Sequence, residues 1–397
     1  MIPPQAIVLS FDHLSRRCLG CYGHEWIETP NLDRLAARAV VFEQHFGADE
    51  CSRLECGDSS PLWLILSQAG VETKLLVEES EPAGCETTDL ETTPFARLLA
   101  QAHQALAESA AKRSTSWLLW LNSVGIAWPC VATEEFLELY ADELEDNDAD
   151  EADELKLAEV MYAACVTQLD HLVGRLLATV ERLFADDRPL LIVVGTAGES
   201  LGESEPLPLA HVDTSPSQET WRLRDELVHT PLLIAHATRD AVGSRRQELV
   251  QTVDVAPTLL EWFGIAGVAT GGSPVGVSDV RSLLPLVRNE EVSWREVVYL
   301  RDCAGHAAMR TQEFLLVERN AARMIQREGL AEQGDAGAAS CQLFLKPEDV
   351  WELNDVAEQH PEQVAMMRNA LRKWLCQAPP ALVESDLREQ RTRHSNE

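Results

Sequence analysis

The chain runs to 397 residues and carries a formal net charge of −32 at pH 7, with 65 Asp and Glu against 33 Lys and Arg. A surface of that sign repels DNA, RNA and anionic lipid, so no nucleic-acid or membrane partner is expected, and an anionic ester needs a local cationic site to enter. With 45% hydrophobic and 25% charged residues the composition is that of an ordinary globular protein, and no stretch reaches the ~20 apolar residues of a membrane helix.

Met1-Ile-Pro-Pro-Gln5 leads at once into Ala6-Ile-Val-Leu-Ser10, an unbroken apolar run of the kind that forms a buried parallel strand. It has no basic leader and no cleavable apolar segment, and the ten cysteines lack small-domain disulfide spacing. Both predict a reduced, cytoplasmic chain. Cys18-Leu-Gly-Cys21 is a lone CxxC with no second pair, and reads as two thiols packed in the first loop. Residues 29–38 start with Thr-Pro and place Leu32, Leu35 and Ala36 on one helical face. An apolar helix over 62–69, ended by Gly70, is followed by a strand over 73–77, an amphipathic helix over 94–111 and a strand over 116–121. The acidic segment 140–156 lacks the central Gly and closing Glu of a calcium loop, and is expected to be a solvated loop leading into a helix over 157–184. Strands over 189–194 and 231–235 and a helix over 255–263, closed by Gly264, complete the alternation.

This pattern predicts an α/β fold whose mainly parallel central sheet is flanked by helices. Beyond about residue 285, short strands over 297–300, 314–318 and 343–345 and a helix over 361–375 predict a small C-terminal α+β subdomain. The expected division is 1–285, 286–378 and a polar tail, 379–397.

Several stretches together resemble the sulfatase family, within the alkaline-phosphatase-like superfamily. They are Phe11-Asp-His-Leu14, Leu19-Gly-Cys-Tyr-Gly23 and the helix from Thr29 to Ala36; Tyr162 to Gly174; Gly198-Glu-Ser-Leu-Gly-Glu203; and Val253-Asp-Val-Ala-Pro-Thr-Leu-Leu-Glu-Trp-Phe-Gly264. Arg281 to Leu286, Met309-Arg-Thr311 and Trp351-Glu-Leu-Asn-Asp355 are similar to its C-terminal part. The resemblance rests on their shared order along nearly the whole chain.

The resemblance implies a divalent cation, usually calcium, held by carboxylates from two loops, beside a formylglycine made from the Cys of a C-x-P-x-R motif. This sequence departs from that pattern at each point. The usual Asp-Asp of the first loop is Asp12-His13. The second loop, normally Ser-Asp-His-Gly-Glu, is Gly195-Thr-Ala-Gly-Glu199, so Thr196 and Ala197 stand at the two ligand positions. Cys51-Ser-Arg53 follows the Phe42…Phe46 strand where the family's nucleophile falls, but it lacks the proline and places Arg53 two positions on rather than four. The helix start that seats the anion in the family has no counterpart, because the chain passes directly to Pro61-Leu-Trp-Leu-Ile-Leu66. The family's substrate His aligns near Ile126, the His after Leu-Gly-Glu is Ser204, and no Lys follows before residue 231.

The candidate catalytic residues are therefore Cys51, Arg53 and His211, and the candidate metal ligands Asp12, His13 and Glu199. The leading expectation is a pseudoenzyme of the sulfatase fold without a cofactor, used to bind or regulate a protein partner or sulfated ligand. The alternative is an active, metal-dependent sulfuric or phosphoric ester hydrolase. It would hold calcium or another divalent cation at a site rebuilt from Asp12, His13, Glu199, Glu203, His211 and Asp213. The oligomeric state is open.

Overall fold

A computed structural model describes residues 3–47, 60–79, 89–112, 114–126, 130, 132–144, 151–185, 187–200, 223–236, 243–265, 280–302, 305–319, 321 and 341–377, with the side chains of 143–144 and 151–155 left out. Its strands in the first two thirds of the chain are β1 (Gln5–Phe11), β2 (Val40–Phe42), β3 (His45–Phe46), β4 (Glu72–Val77), β5 (Trp117–Ser123), β6 (Leu190–Gly195), β7 (Leu232–Ala235), β8 (Arg245–Arg246) and β9 (Val250–Gln251). Between them lie α1 (Pro30–Ala36), α2 (Pro61–Gln68), α3 (Pro94–Ala111), α4 (Glu134–Glu138), α5 (Glu151–Leu183) and α6 (Asp225–Val228), with α7 (Val255–Trp262) after β9.

Seven strands form one sheet in the order β4-β5-β1-β6-β7-β2-β8. All run one way except β7, which pairs antiparallel with both β6 and β2. The register of the parallel centre positions everything that follows. Phe11 at the end of β1 lies opposite Ser123 of β5 and Gly195 of β6, while Val77 of β4 faces Asn122. Four strands thus end side by side, and the loops that follow them share one edge, where open α/β sheets place their sites.

Strand alternation divides the core in two. Ile7, Leu9, Phe11, Leu119 and Leu121 pack under α1, α3 and α5; Ala6, Val8, Trp120, Ile192 and Val194 pack with Trp63 of α2 and Leu259 of α7. Each of the Val, Leu, Ile and Phe side chains among them, fully buried, contributes about 1.5–3 kcal/mol. Helix α5 begins at Glu151, earlier than the expected 157, because carboxylates are favoured by the dipole of a helix's first turns. The stretch 42–46, expected as one strand, is split between β2 and β3, which belong to different sheets.

The C-terminal part is a four-stranded antiparallel sheet of β10 (Val298–Arg301), β11 (Ala307–Arg310), β12 (Phe314–Glu318) and β13 (Cys341–Leu345), in that order. One face takes Met367, Leu371 and Trp374 of the last helix, Pro361–Gln377. The other, through Val298, Ala308, Leu315 and Phe344, packs against Phe46 of β3 and Val228 of α6. The second sheet therefore leans on the elements that back the strand-end loops.

Two of the recognisable motifs prove to be fasteners. Asp170 of α5 accepts hydrogen bonds from the backbone N–H groups of Asn31 and Leu32, at 3.0 and 2.7 Å, and so caps α1. Asp254 accepts the N–H of Gln251 and of Arg281 and forms a 2.6 Å ion pair with buried Arg295. Thr258 donates to the Asp254 carbonyl and accepts from the Leu283 N–H. Cys18 and Cys21 are buried thiols, and burial pushes the Cys21 thiol up to about 12.

Candidate functional site at the strand ends

The first loop leaves β1 at Phe11, whose carbonyl accepts the Thr196 N–H at 2.9 Å, while the Asp12 N–H donates to Ser123 O at 3.1 Å. Asp12 is thereby held between the ends of β5 and β6. Only glycine fits across from it: a Cβ on Gly125 would stand 1.4 Å from the Asp12 carbonyl oxygen, and Gly125 itself has a φ of +71°. His13 has a φ of 58°, a left-handed conformation that costs a residue with a side chain about 1–2 kcal/mol. Its surroundings enforce it. The buried Tyr162 hydroxyl donates to His13 O at 2.8 Å and accepts the Ser15 N–H at 2.9 Å, and the Leu14 N–H donates to Ala197 O at 3.1 Å. Burial drives the Tyr162 hydroxyl well above its ordinary pKa, so it stays a donor.

The second loop, Thr196 to Glu199, closes on the first. The Thr196 hydroxyl donates to Asp12 Oδ1, and Glu199 Oε2 lies 2.6 Å from His13 Nδ1. Gly198 is forced by a close approach, since a Cβ there would meet the Glu226 carbonyl oxygen at 2.1 Å, and its N–H donates to Leu227 O at 2.7 Å. Gly47 touches the same loop, with space for no Cβ beside Thr196 O, and its N–H donates to Val228 O at 2.6 Å.

One further group at this edge was not singled out from the sequence. Glu78, just beyond β4, accepts the Ser123 hydroxyl and, at 3.1 Å, the Val124 N–H. Burial raises its carboxyl pKa, against the lowering effect of these bonds. A charged residue one step past a parallel strand was the available signal.

Asp12, His13, Thr196 and Glu199 are thus brought together, and Ile126, at the substrate-His position, is buried in the core. Cys51, Arg53, Ser204 and His211 lie outside the described residues, as do Glu203 and Asp213. Among the described residues the donor set falls short of the cation implied by the resemblance, because a hard divalent ion takes six to eight oxygen ligands at once. Here one Asp12 oxygen receives a hydroxyl proton, Glu199 is engaged by His13, and Ala197 offers a methyl group. Among the described residues no group of three or more His, Cys, Asp or Glu side chains is placed to hold a metal.

Behind the loops sit two buried imidazoles. His45 Nδ1 lies 3.1 Å from Thr230 O and Nε2 lies 3.2 Å from the Thr252 hydroxyl. A carbonyl can only accept, so Nδ1 carries the proton; burial lowers the ring's pKa to about 4, which keeps it neutral near pH 7. His229 donates from Nε2 to Glu43 O at 2.6 Å and stacks on Phe46. Burial, with Arg16 nearby, lowers it to about 3.

Residues 69–265 match the family model described as Sulfatase. The multifunctional alkaline phosphatase superfamily protein PehA of Trinickia caryophylli is 28% identical over 144 residues, 36% of this chain and 24% of that protein. The N-acetylglucosamine-6-O-sulfatase of Bacteroides thetaiotaomicron is 26% identical over 171 residues, 39% of this chain and 27% of that protein. The chain thus matches about a quarter of the length of these curated relatives. Among solved structures, the phosphonate monoester hydrolase of Agrobacterium radiobacter has a TM-score of 0.65 at 16% identity, covering 94% of this chain and 96% of that one. BT4656, solved with its substrate D-glucosamine-2-N,6-O-disulfate, has a TM-score of 0.69 at 15% identity, covering 94% and 98%. At such identities the shared property is the fold.

Proposed function

From the premise that the chain belongs to the sulfatase family, we propose that it is a catalytically inactive member, a pseudo-sulfatase that has kept the fold as a binding or regulatory protein. The observation that carries this reading is the Thr196 hydroxyl donating into Asp12. Where the family would have a cation between two carboxylate-bearing loops, these loops meet through a hydroxyl donating to the Asp12 carboxylate and a His13–Glu199 contact. A sulfate ester brings negative charge to a protein already at −32, and its transition state needs cationic or strongly donating groups at the reacting oxygens. Asp12 and Glu199 without a bridging cation oppose that charge.

The test is turnover. Purified protein offered aryl sulfates, aryl phosphates and aryl phosphonate monoesters, with and without calcium, magnesium, manganese or zinc, is expected to hydrolyse none above background. It is also expected to carry no stoichiometric divalent metal. Metal-dependent hydrolysis that disappears in Asp12→Ala would overturn the reading and establish a hydrolase with a rearranged site.

A further inference from the structure

The two site loops are joined to the C-terminal sheet by a cluster of charges that is almost wholly dry. Lys346, just past β13, is 3% exposed. Its ammonium lies 2.9 Å from Asp225 Oδ2 and 3.0 Å from Glu352 Oε1, and donates to Asp349 O at 3.0 Å. Glu352 Oε1 also accepts the Asp225 N–H at 2.9 Å. Arg310 of β11, 1% exposed, adds the second positive charge: it lies over the Phe46 ring and acts electrostatically on both carboxylates. Two anions and two cations therefore balance. Ion pairs this deep are weak evidence for stability, since desolvation opposes the Coulomb gain; their best-attested use is to fix one arrangement.

What they fix is α6. Asp225 is its first residue, and the same turn supplies Leu227 O to the Gly198 N–H and Val228 O to the Gly47 N–H. The first loop is reached from the same place. Arg17, beyond His13, donates to Val350 O at 2.8 Å and lies over the Trp351 ring at 4.4 Å. Glu352 holds its inward pose with a left-handed backbone, φ 55°, while its neighbours Val350, Trp351 and Leu353 are 46%, 45% and 72% exposed.

We propose that the turn of residues 349–353 is a brace positioning both site loops: inward through Glu352, Lys346 and Asp225 to the second loop, and sideways through Val350 and Trp351 to the first. The inference concerns what holds the loops, and stands whether or not they catalyse.

Hydrogen exchange on the intact protein tests it. Glu352→Gln keeps the shape but removes the charge that faces Lys346. It should speed exchange at the Gly198 and Gly47 amides at least tenfold. Trp351→Ala, an exposed change that leaves the core intact, should speed exchange at Leu14 and Ser15. Amides in the middle of β1, β5 and α3 should keep their wild-type rates in both variants. Unchanged loop amides, or a rise shared by the whole sheet, would overturn the brace. If Glu352→Gln proves too unstable to purify, Trp351→Ala decides alone, because its effect is confined to the first loop or absent.

Discussion

Thr196 and Asp12 show how much one side chain can decide. The hydroxyl gives the Asp12 carboxylate a hydrogen-bond donor but none of the positive charge a cation would bring. Restoring the family's residues with Thr196→Asp and Ala197→His should set two carboxylates against each other. That variant is expected to be less stable than the wild type without metal and to gain stability with calcium, as binding to the folded state requires. Calorimetric titration should show tighter calcium binding, and sulfate release should stay at background because Cys51-Ser-Arg53 still lacks the family's spacing. Turnover in this variant would show that the second loop alone was limiting. The buried imidazoles give a second expectation. Their folded pKa values, about 4 for His45 and about 3 for His229, lie below the ordinary 6.5. Their contribution is complete above pH 6.5 and is lost as the pH falls toward those values. Each loses about 2 kcal/mol by pH 5. Burial raises Glu352 and Asp254 and acts in the opposite sense, so the comparison belongs between variants. The stability gap between wild type and His45→Gln should narrow by about 2 kcal/mol from pH 7.5 to pH 5 in denaturant titrations.

Elements differ in how plainly the sequence announces them. The unbroken apolar runs of β1, β5 and β6 and the face of α3 were legible because burial on both sides or one side writes a distinct periodicity. Strand direction was not, since β7 reads the same in either orientation and runs against its neighbours only because of where the chain re-enters the sheet. β11 is hidden for a different reason, its Ala307-Ala308 start giving little strand signal. At the site, Asp12, His13 and Glu199 could be named from ordered motifs. The Thr196–Asp12 contact could not, because it depends on the register of β1 against β6, nor could the partners of Glu78, which come from a strand 45 residues away. The Asp254 fastener behind α7 carries an expectation of its own. Arg295→Met leaves a buried carboxylate without its cation and should cost about 3–5 kcal/mol, read as a lowered urea midpoint with an unchanged slope.

At the scale of the whole molecule the dominant fact is charge. With −32 spread over the chain, self-repulsion opposes the compact state at all times. Exposed pairs such as Lys112–Glu72 and Arg175–Glu91 return little, since surface ion pairs are worth about 0–1 kcal/mol. Screening should therefore help more than it harms. Raising sodium chloride from about 0.02 to 0.5 M shortens the Debye length to a few ångströms and is expected to raise the melting temperature. A fall would mean that the specific pairs outweigh the general repulsion.

The strand order has a consequence for how the protein comes to exist. β1 is made first but is flanked by β5 and β6, and β2 is closed in by β7 and β8. On a ribosome adding about 5–20 residues per second, roughly 180 residues separate the first strand from its second neighbour, so its apolar edge waits about 10–40 seconds. During that interval the nascent chain offers an open strand edge to anything nearby. A fragment released before residue 190 would keep that edge permanently, and the cell would meet it as a client for chaperones or as a seed for aggregation.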